Sequence, residues 1–219
     1  MDIVWHGITR AESMSDWAVN VRNRLADAAK AYDWHRVIEL VSRDGELINS
    51  WRPGGKSMFA PLHQAAHVGA PVDIVDRLCR LGAWRTLRNG RGERPIDVAV
   101  RRGHDILRGV LEPVLKHSVP SGALQEIEKR FHEVIHGRID RHLPDHGLRL
   151  PQLEPLLELD RPAMWFPVPG MIGGFSYWLD VAGVIPKLVC ESWSRAATGS
   201  GERHEITAEH SRLVEEGFV

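Results

Sequence analysis

Disulfides, membrane spans and lysine are what this sequence lacks, and each shortage narrows what it can be. Two cysteines, Cys79 and Cys190, stand far apart in 219 residues. They cannot form a disulfide framework, and they point to a reducing compartment, with the cytoplasm the expected location. No run approaches the roughly 18 apolar residues a membrane-spanning helix needs. The opening MDIVWHGITRAESMSD carries an acid at position 2 and no apolar core of signal-peptide length, so neither a leader nor a membrane contact is expected. Lysine contributes five of the 28 basic residues and arginine 23, which suggests a GC-rich coding genome and a bacterial source. A net charge of -1 gives no global pull toward nucleic acid, and no nucleic-acid module is evident, so a nucleic-acid partner is disfavoured.

What is present is unevenly placed. Nine arginines against three acids lie between Arg77 and Arg108, whereas 11 basic and 16 acidic residues follow from Leu111 onward. The basic middle can meet the acidic end of the same chain or an acidic partner.

The first half repeats itself. Pro61-Leu62-His63-Gln64-Ala65-Ala66 is followed by Gly69, Ile74-Val75, Leu78 and Gly82-Ala83. Pro95-Ile96-Asp97-Val98-Ala99, Gly103-His104 and Ile106-Leu107 come 34 residues later, as the steps Pro61 to Pro95 and Gly69 to Gly103 show. A third copy lies upstream in Ala28-Ala29, Val37-Ile38 and Leu40-Val41, with a longer loop at Pro53-Gly54-Gly55-Lys56. Proline at the first helical position costs no hydrogen bond, paired alanines allow close helix approach, and glycine accepts the positive φ of a tight turn. Over residues 24–112 this pattern resembles the ankyrin repeat. The threonine usual before proline is replaced by Ala60 and Arg94, and the motif histidine by Asp97 in the last copy. The resemblance implies a short stack of helix pairs, with residues 11–31 (Trp17, Val21, Leu25) covering one end. It also implies partner binding at the turn tips and first helices, by Trp51, Arg52, His67, Trp84, Arg85, Arg88, Arg91 and Arg101.

The second half has a different texture. Val119-Pro120-Ser121-Gly122 reads as a linker, and Leu124, Ile127, Phe131, Val134, Ile135 and Ile139 make one helical stripe. Short β-prone runs follow: 164–168 and 174–179 as a hairpin, 187–195 as a third strand and 203–207 as a fourth. Thr207, with Glu209 beyond it, predicts the cap of a final helix through Leu213-Val214. The expected class is α+β. An all-α stack with its cap occupies 1–116, and an α+β module occupies 117–219, with a helix over 122–142 and a small antiparallel sheet over 164–207.

Three features suggest chemistry. His132-Glu133-Val134-Ile135-His136 fits H-E-x-x-H, which sets two histidines on one helix face for zinc, and His142 lies where some peptidases place a third ligand. No upstream strand or cleft accompanies it, and a solvated helix face explains the same residues. Glu191, Arg195, Arg203 and His204 can converge across two strands as an anion or acid–base site, or form cross-strand charge pairs. Trp165, Phe166, Phe175, Tyr177, Trp178 and Trp193 are dense enough to build both a core and a binding surface. The leading expectation is an interaction protein (adaptor, inhibitor or immunity-type) with a protein partner, an acidic one where the basic segment is used, and no cofactor or catalytic metal. The rival is an enzyme with its site in the second half.

Overall fold

The computed structural model describes residues 3–139, 147–194 and 201–217. Among them are seven α-helices and one five-stranded antiparallel sheet. The chain divides into two compact units, with Thr9–Val114 as the helical one and the described residues on either side of it as the other. The boundary expected at 116 therefore shifts. Residues 3–8 belong with the second half: Val4 bridges Trp165 and Ile8 bridges Leu148, so this segment completes a sheet edge.

In the helical unit, α1 (Asp16–Lys30), α3 (Pro61–Val68) and α5 (Pro95–Arg101) lie in a row, with α3 packed on both neighbours. Each is followed by a second helix: α2 (Trp34–Arg43), α4 (Val72–Arg80) and the short α6 (Arg108–Leu111). Their apolar faces share one core, including Val37, Leu40, Leu62, Ala65, Ala66, Val75, Leu78, Val98 and Leu107. Gly69 (φ 67°) and Gly103 (φ 78°) close α3 and α5 in the left-handed region, and Tyr32 (φ 63°) occupies the matching position after α1. Where Arg94 has no hydroxyl to offer, the Asp97 carboxylate reaches back to accept the Arg94 amide at 2.9 Å, which caps α5 from inside. Trp17 is 69% exposed and lies outside the core, contrary to the role expected of it; Leu25 is the buried residue of that helix face.

In the second unit, β1 (Ala163–Val168), β2 (Gly173–Asp180), β3 (Lys187–Ser194), β4 (Glu202–Ile206) and β5 (Ser211–Glu216) form a meander. The stripe of α7 (Ser121–Ile139) buries Leu124, Ile127, Phe131, Ile135 and Ile139, and Phe131 packs on Phe175 and Tyr177. Alternation puts Phe166, Tyr177, Leu188 and Cys190 on that face, and Trp165, Trp178, Val189 and Trp193 on the other. The final helix expected after Thr207 is instead strand β5. Thr207 Oγ1 does accept amides, from Glu209 (3.3 Å) and His210 (3.2 Å), but within a turn closed by Thr207 N–H to His210 carbonyl (2.8 Å). A hydroxyl that can cap a helix can equally cap a turn, and the chain after it pairs with β4.

Candidate functional site

Two loops and three helices frame an open groove of about 610 Å³ in the helical unit. The loop after Trp51 turns at Pro53-Gly54, closed by Gly55 N–H to the Arg52 carbonyl at 3.0 Å, and the loop before Pro95 turns at Asn89–Gly92. Asn89 organises the second: its Oδ1 accepts the amides of Arg91 (2.7 Å) and Glu93 (3.1 Å), an Asx turn. The loops lean on each other through Gly90 N–H to Ser57 carbonyl at 2.8 Å. A Cβ at Gly90 would lie 2.3 Å from the Lys56 carbonyl, so only glycine permits this approach. His63, buried on α3, donates through Nε2 to the Glu93 carbonyl at 3.2 Å and ties the loop to the helix row.

The lining is strongly basic. Arg22, Lys30, Arg52, Lys56, Arg91 and Arg101 contribute six cations, and Glu93 the one carboxylate. Arg101 pairs with Glu93 at 2.5 Å, and this bond, followed by that from Asn89, holds the Glu93 carboxyl below its usual range. Arg52 pairs with Asp27. Burial lowers the Arg22 guanidinium, against the opposing pull of Asp44 and Glu46. Met58 and Phe59 supply apolar surface at the lip, and Met58 holds φ 49°, a left-handed conformation costly for a side chain of its size. Such strain gathers at ligand-contacting segments.

Of the eight residues expected to face a partner, Arg52, His67, Arg91 and Arg101 line this groove. Trp51 and Trp84 do not present a surface: they are 6% and 8% exposed. The Trp84 amide donates to Asn49 Oδ1 at 2.9 Å while Asn49 Nδ2 donates to the Gly82 carbonyl at 3.0 Å, so Trp84 sits in a joint between successive copies. Arg85 and Arg88 donate to the backbone carbonyls of Val110 (2.9 Å) and Gly92 (3.0 Å) and do not line the groove. Lys30, Lys56 and Arg22 were not singled out in the sequence, because only folding brings α1 beside the loop after Trp51.

Among the described residues the alternative sites assemble only in part. Glu191 and Arg203 face each other across β3 and β4, with Arg203 Nε donating to Glu191 Oε1 at 2.7 Å and its Nη1 to Glu215 Oε2 at 2.6 Å. His204 points to the opposite face, beside Glu202 and Arg138, so the pair is a cross-strand ion pair and His204 is not part of it. Arg195 and His142 lie outside the described residues. His132 Nε2 donates to the Pro151 carbonyl at 2.8 Å, which occupies that nitrogen, while His136 is exposed. No group of three metal-ligating side chains occurs among the described residues. Cys190 is buried, and desolvation pushes its thiol far above the usual range, which removes it as a nucleophile. No described helix is long and apolar enough to cross a membrane.

No protein-family model matches the chain. Over 124 residues it is 29% identical to squamosa promoter-binding-like protein 6 of Oryza sativa subsp. japonica, a match that covers 52% of this chain. The chain spans 13% of that protein's length.

Proposed function

We propose that the helical unit is an ankyrin-type stack and that the chain is an interaction protein, of adaptor or inhibitor kind, which holds an acidic protein partner in its basic groove. The observation that carries this reading is the groove's charge, six cations against one carboxylate in an open concavity. The 34-residue step, the left-handed glycines at its matching turns and the row of first helices support the repeat architecture. Electrostatic complementarity of this kind speeds association and rejects partners of the wrong sign. A DNA partner, which the name of the Oryza sativa protein suggests, competes for the same charge.

The full chain, immobilised, is used to capture partners from nuclease-treated and untreated extract, and the captured partner is then titrated in purified form. Lys30, Lys56 and Arg91 are exposed, so Lys30→Glu/Lys56→Glu/Arg91→Glu leaves the core intact. It is expected to weaken an acidic protein partner at least tenfold, whereas Arg77→Glu/Arg80→Glu outside the groove changes little. A partner bound equally by both variants, or capture that nuclease abolishes, overturns the reading.

A further inference from the structure

The outer face of the sheet holds a second concavity, of about 550 Å³, that the groove reading does not use. Ser176 is its floor. In the register, Ser176 lies between Trp165 on β1 and Glu191 on β3, and Trp178 is two residues along its own strand. A small side chain ringed by large ones leaves a bowl. Ile3, from the segment paired to β1, and Arg161 complete the rim.

Both kinds of wall are held in place before any ligand arrives. The Trp165 ring stacks on Trp193 at 5.4 Å between centroids and 23° between planes. Gly174 makes room for this: a Cβ there would lie 2.9 Å from the Trp165 ring. Trp165 is therefore braced on one side. The Glu191 carboxylate is oriented by Arg203, which Glu215 anchors in turn. Preorganised aromatic and polar groups around a small floor are what a ligand site requires.

We propose that this bowl binds a saccharide, a pyranose ring stacked on the indoles with its hydroxyls on Glu191, Ser176 and Arg161. The inventory of groups selects this class. Glu191 accepts only, Arg161 donates only and Ser176 does both, so a matching ligand carries donors and acceptors around an apolar ring face. A proline-rich segment offers carbonyls without N–H donors and gives nothing to Glu191 Oε2, since the Arg203 bond is to Oε1. A methylated ammonium needs net negative walls, but Arg203 already neutralises Glu191 and Arg161 shares the rim. An anion gains Arg161 but is set against Glu191 Oε2, the oxygen to which no Arg203 bond is made. A neutral polyol ring satisfies every group.

The test titrates the full chain with methyl glycosides of glucose, galactose, mannose and N-acetylglucosamine and with their di- and trisaccharides, read by saturation-transfer NMR and tryptophan fluorescence. One series is expected to saturate. Trp178→Ala is expected to weaken it at least tenfold, and Ser176→Leu, which fills the floor, to abolish it. Both positions are half-buried on the outer face, and circular dichroism with melting identifies whichever variant keeps the fold and so decides the matter. Lys30→Glu/Lys56→Glu/Arg91→Glu binds the saccharide unchanged, so failure of the groove reading and failure of this one are separable. The proposal is overturned if no series saturates, if binding survives in the folded variants, or if a decaproline or trimethyllysine peptide binds and Ser176→Leu removes that binding.

Discussion

Phe131 on α7 stands 4.9 Å, centroid to centroid, from Tyr177 on β2. Both rings are fully buried, and this contact, with Phe175 edge-on at 6.5 Å, is where the helix grips the sheet. Phe131→Ala is expected to cost about 3–5 kcal/mol, a large part of a small unit's net stability. His132→Ala, one residue along, gives up one hydrogen bond to Pro151 and is expected to cost about 1 kcal/mol. Chemical denaturation of the two variants separates them; equal losses would mean the helix is rotated from the packing described.

The joint between Asn49 and Trp84 makes a second expectation. Asn49→Ala leaves the Trp84 amide and the Gly82 carbonyl without this partner, a loss of about 1–3 kcal/mol. Trp84→Ala is expected to be at least as damaging, because it opens a cavity. Neither change alters partner affinity per folded molecule, since neither residue lines the groove. Calorimetric binding by the folded fraction checks this, and a Trp84 variant of full stability and lost affinity would return that residue to the interaction surface.

Tyr32 stands at φ 63° where the later copies have glycine. Side chains other than glycine pay about 1 kcal/mol or more to adopt that conformation. Tyr32→Gly is therefore expected to raise stability by up to about 1 kcal/mol, and the same substitution at an ordinary helical position would lower it. A fall in the denaturant midpoint would show that the exposed Tyr32 ring contributes more than its backbone costs.

Two histidines set an acid-side slope. Burial first, then Arg102, Arg101 and His104, holds the His67 imidazole below its ordinary 6.5. Burial likewise lowers His204, with Arg138 adding to it and Glu202 opposing. The unfolded chain therefore takes up these protons at a higher pH than the folded one. Their contribution to stability is full above the unfolded value and is lost as pH falls through the folded values. Denaturation midpoints are expected to drop between about pH 7 and about pH 5, and His67→Gln/His204→Gln to flatten that drop. A wild-type slope of opposite sign contradicts the assignment.

The local patterns were the readable ones. Proline–alanine spacing located α3 and α5, the apolar stripe located α7 with its buried face, and period-two alternation separated Phe175 and Tyr177 from Trp178. What escaped was set by distant chain. Trp51 and Trp84 sit at loop positions that read as exposed, and folding buries both, with Asn49 of the preceding copy holding the Trp84 backbone. Strand β5 is exposed along its whole length, so no face imposes a period on it, and the capping hydroxyl before it suits a turn and a helix equally. The pairing of residues 3–8 has no nearby signal at all. The groove's cations come from α1, two loops and α5, and none of these segments is cationic enough alone to mark a site.

That N-terminal pairing has a bearing on how the protein is made. Trp5, 1% exposed in the finished structure, donates its amide to the carbonyl of Trp165, about 160 residues further on. During synthesis the whole helical unit leaves the ribosome before Arg149 and Trp165, which accept from the Trp5 indole and amide, have been made. Its local contacts let that unit fold early, whereas the sheet closes only near the end of translation. A large indole thus lacks these two partners through most of elongation, and slow translation or a stall before Trp165 lengthens the interval in which a chaperone or a protease can seize it.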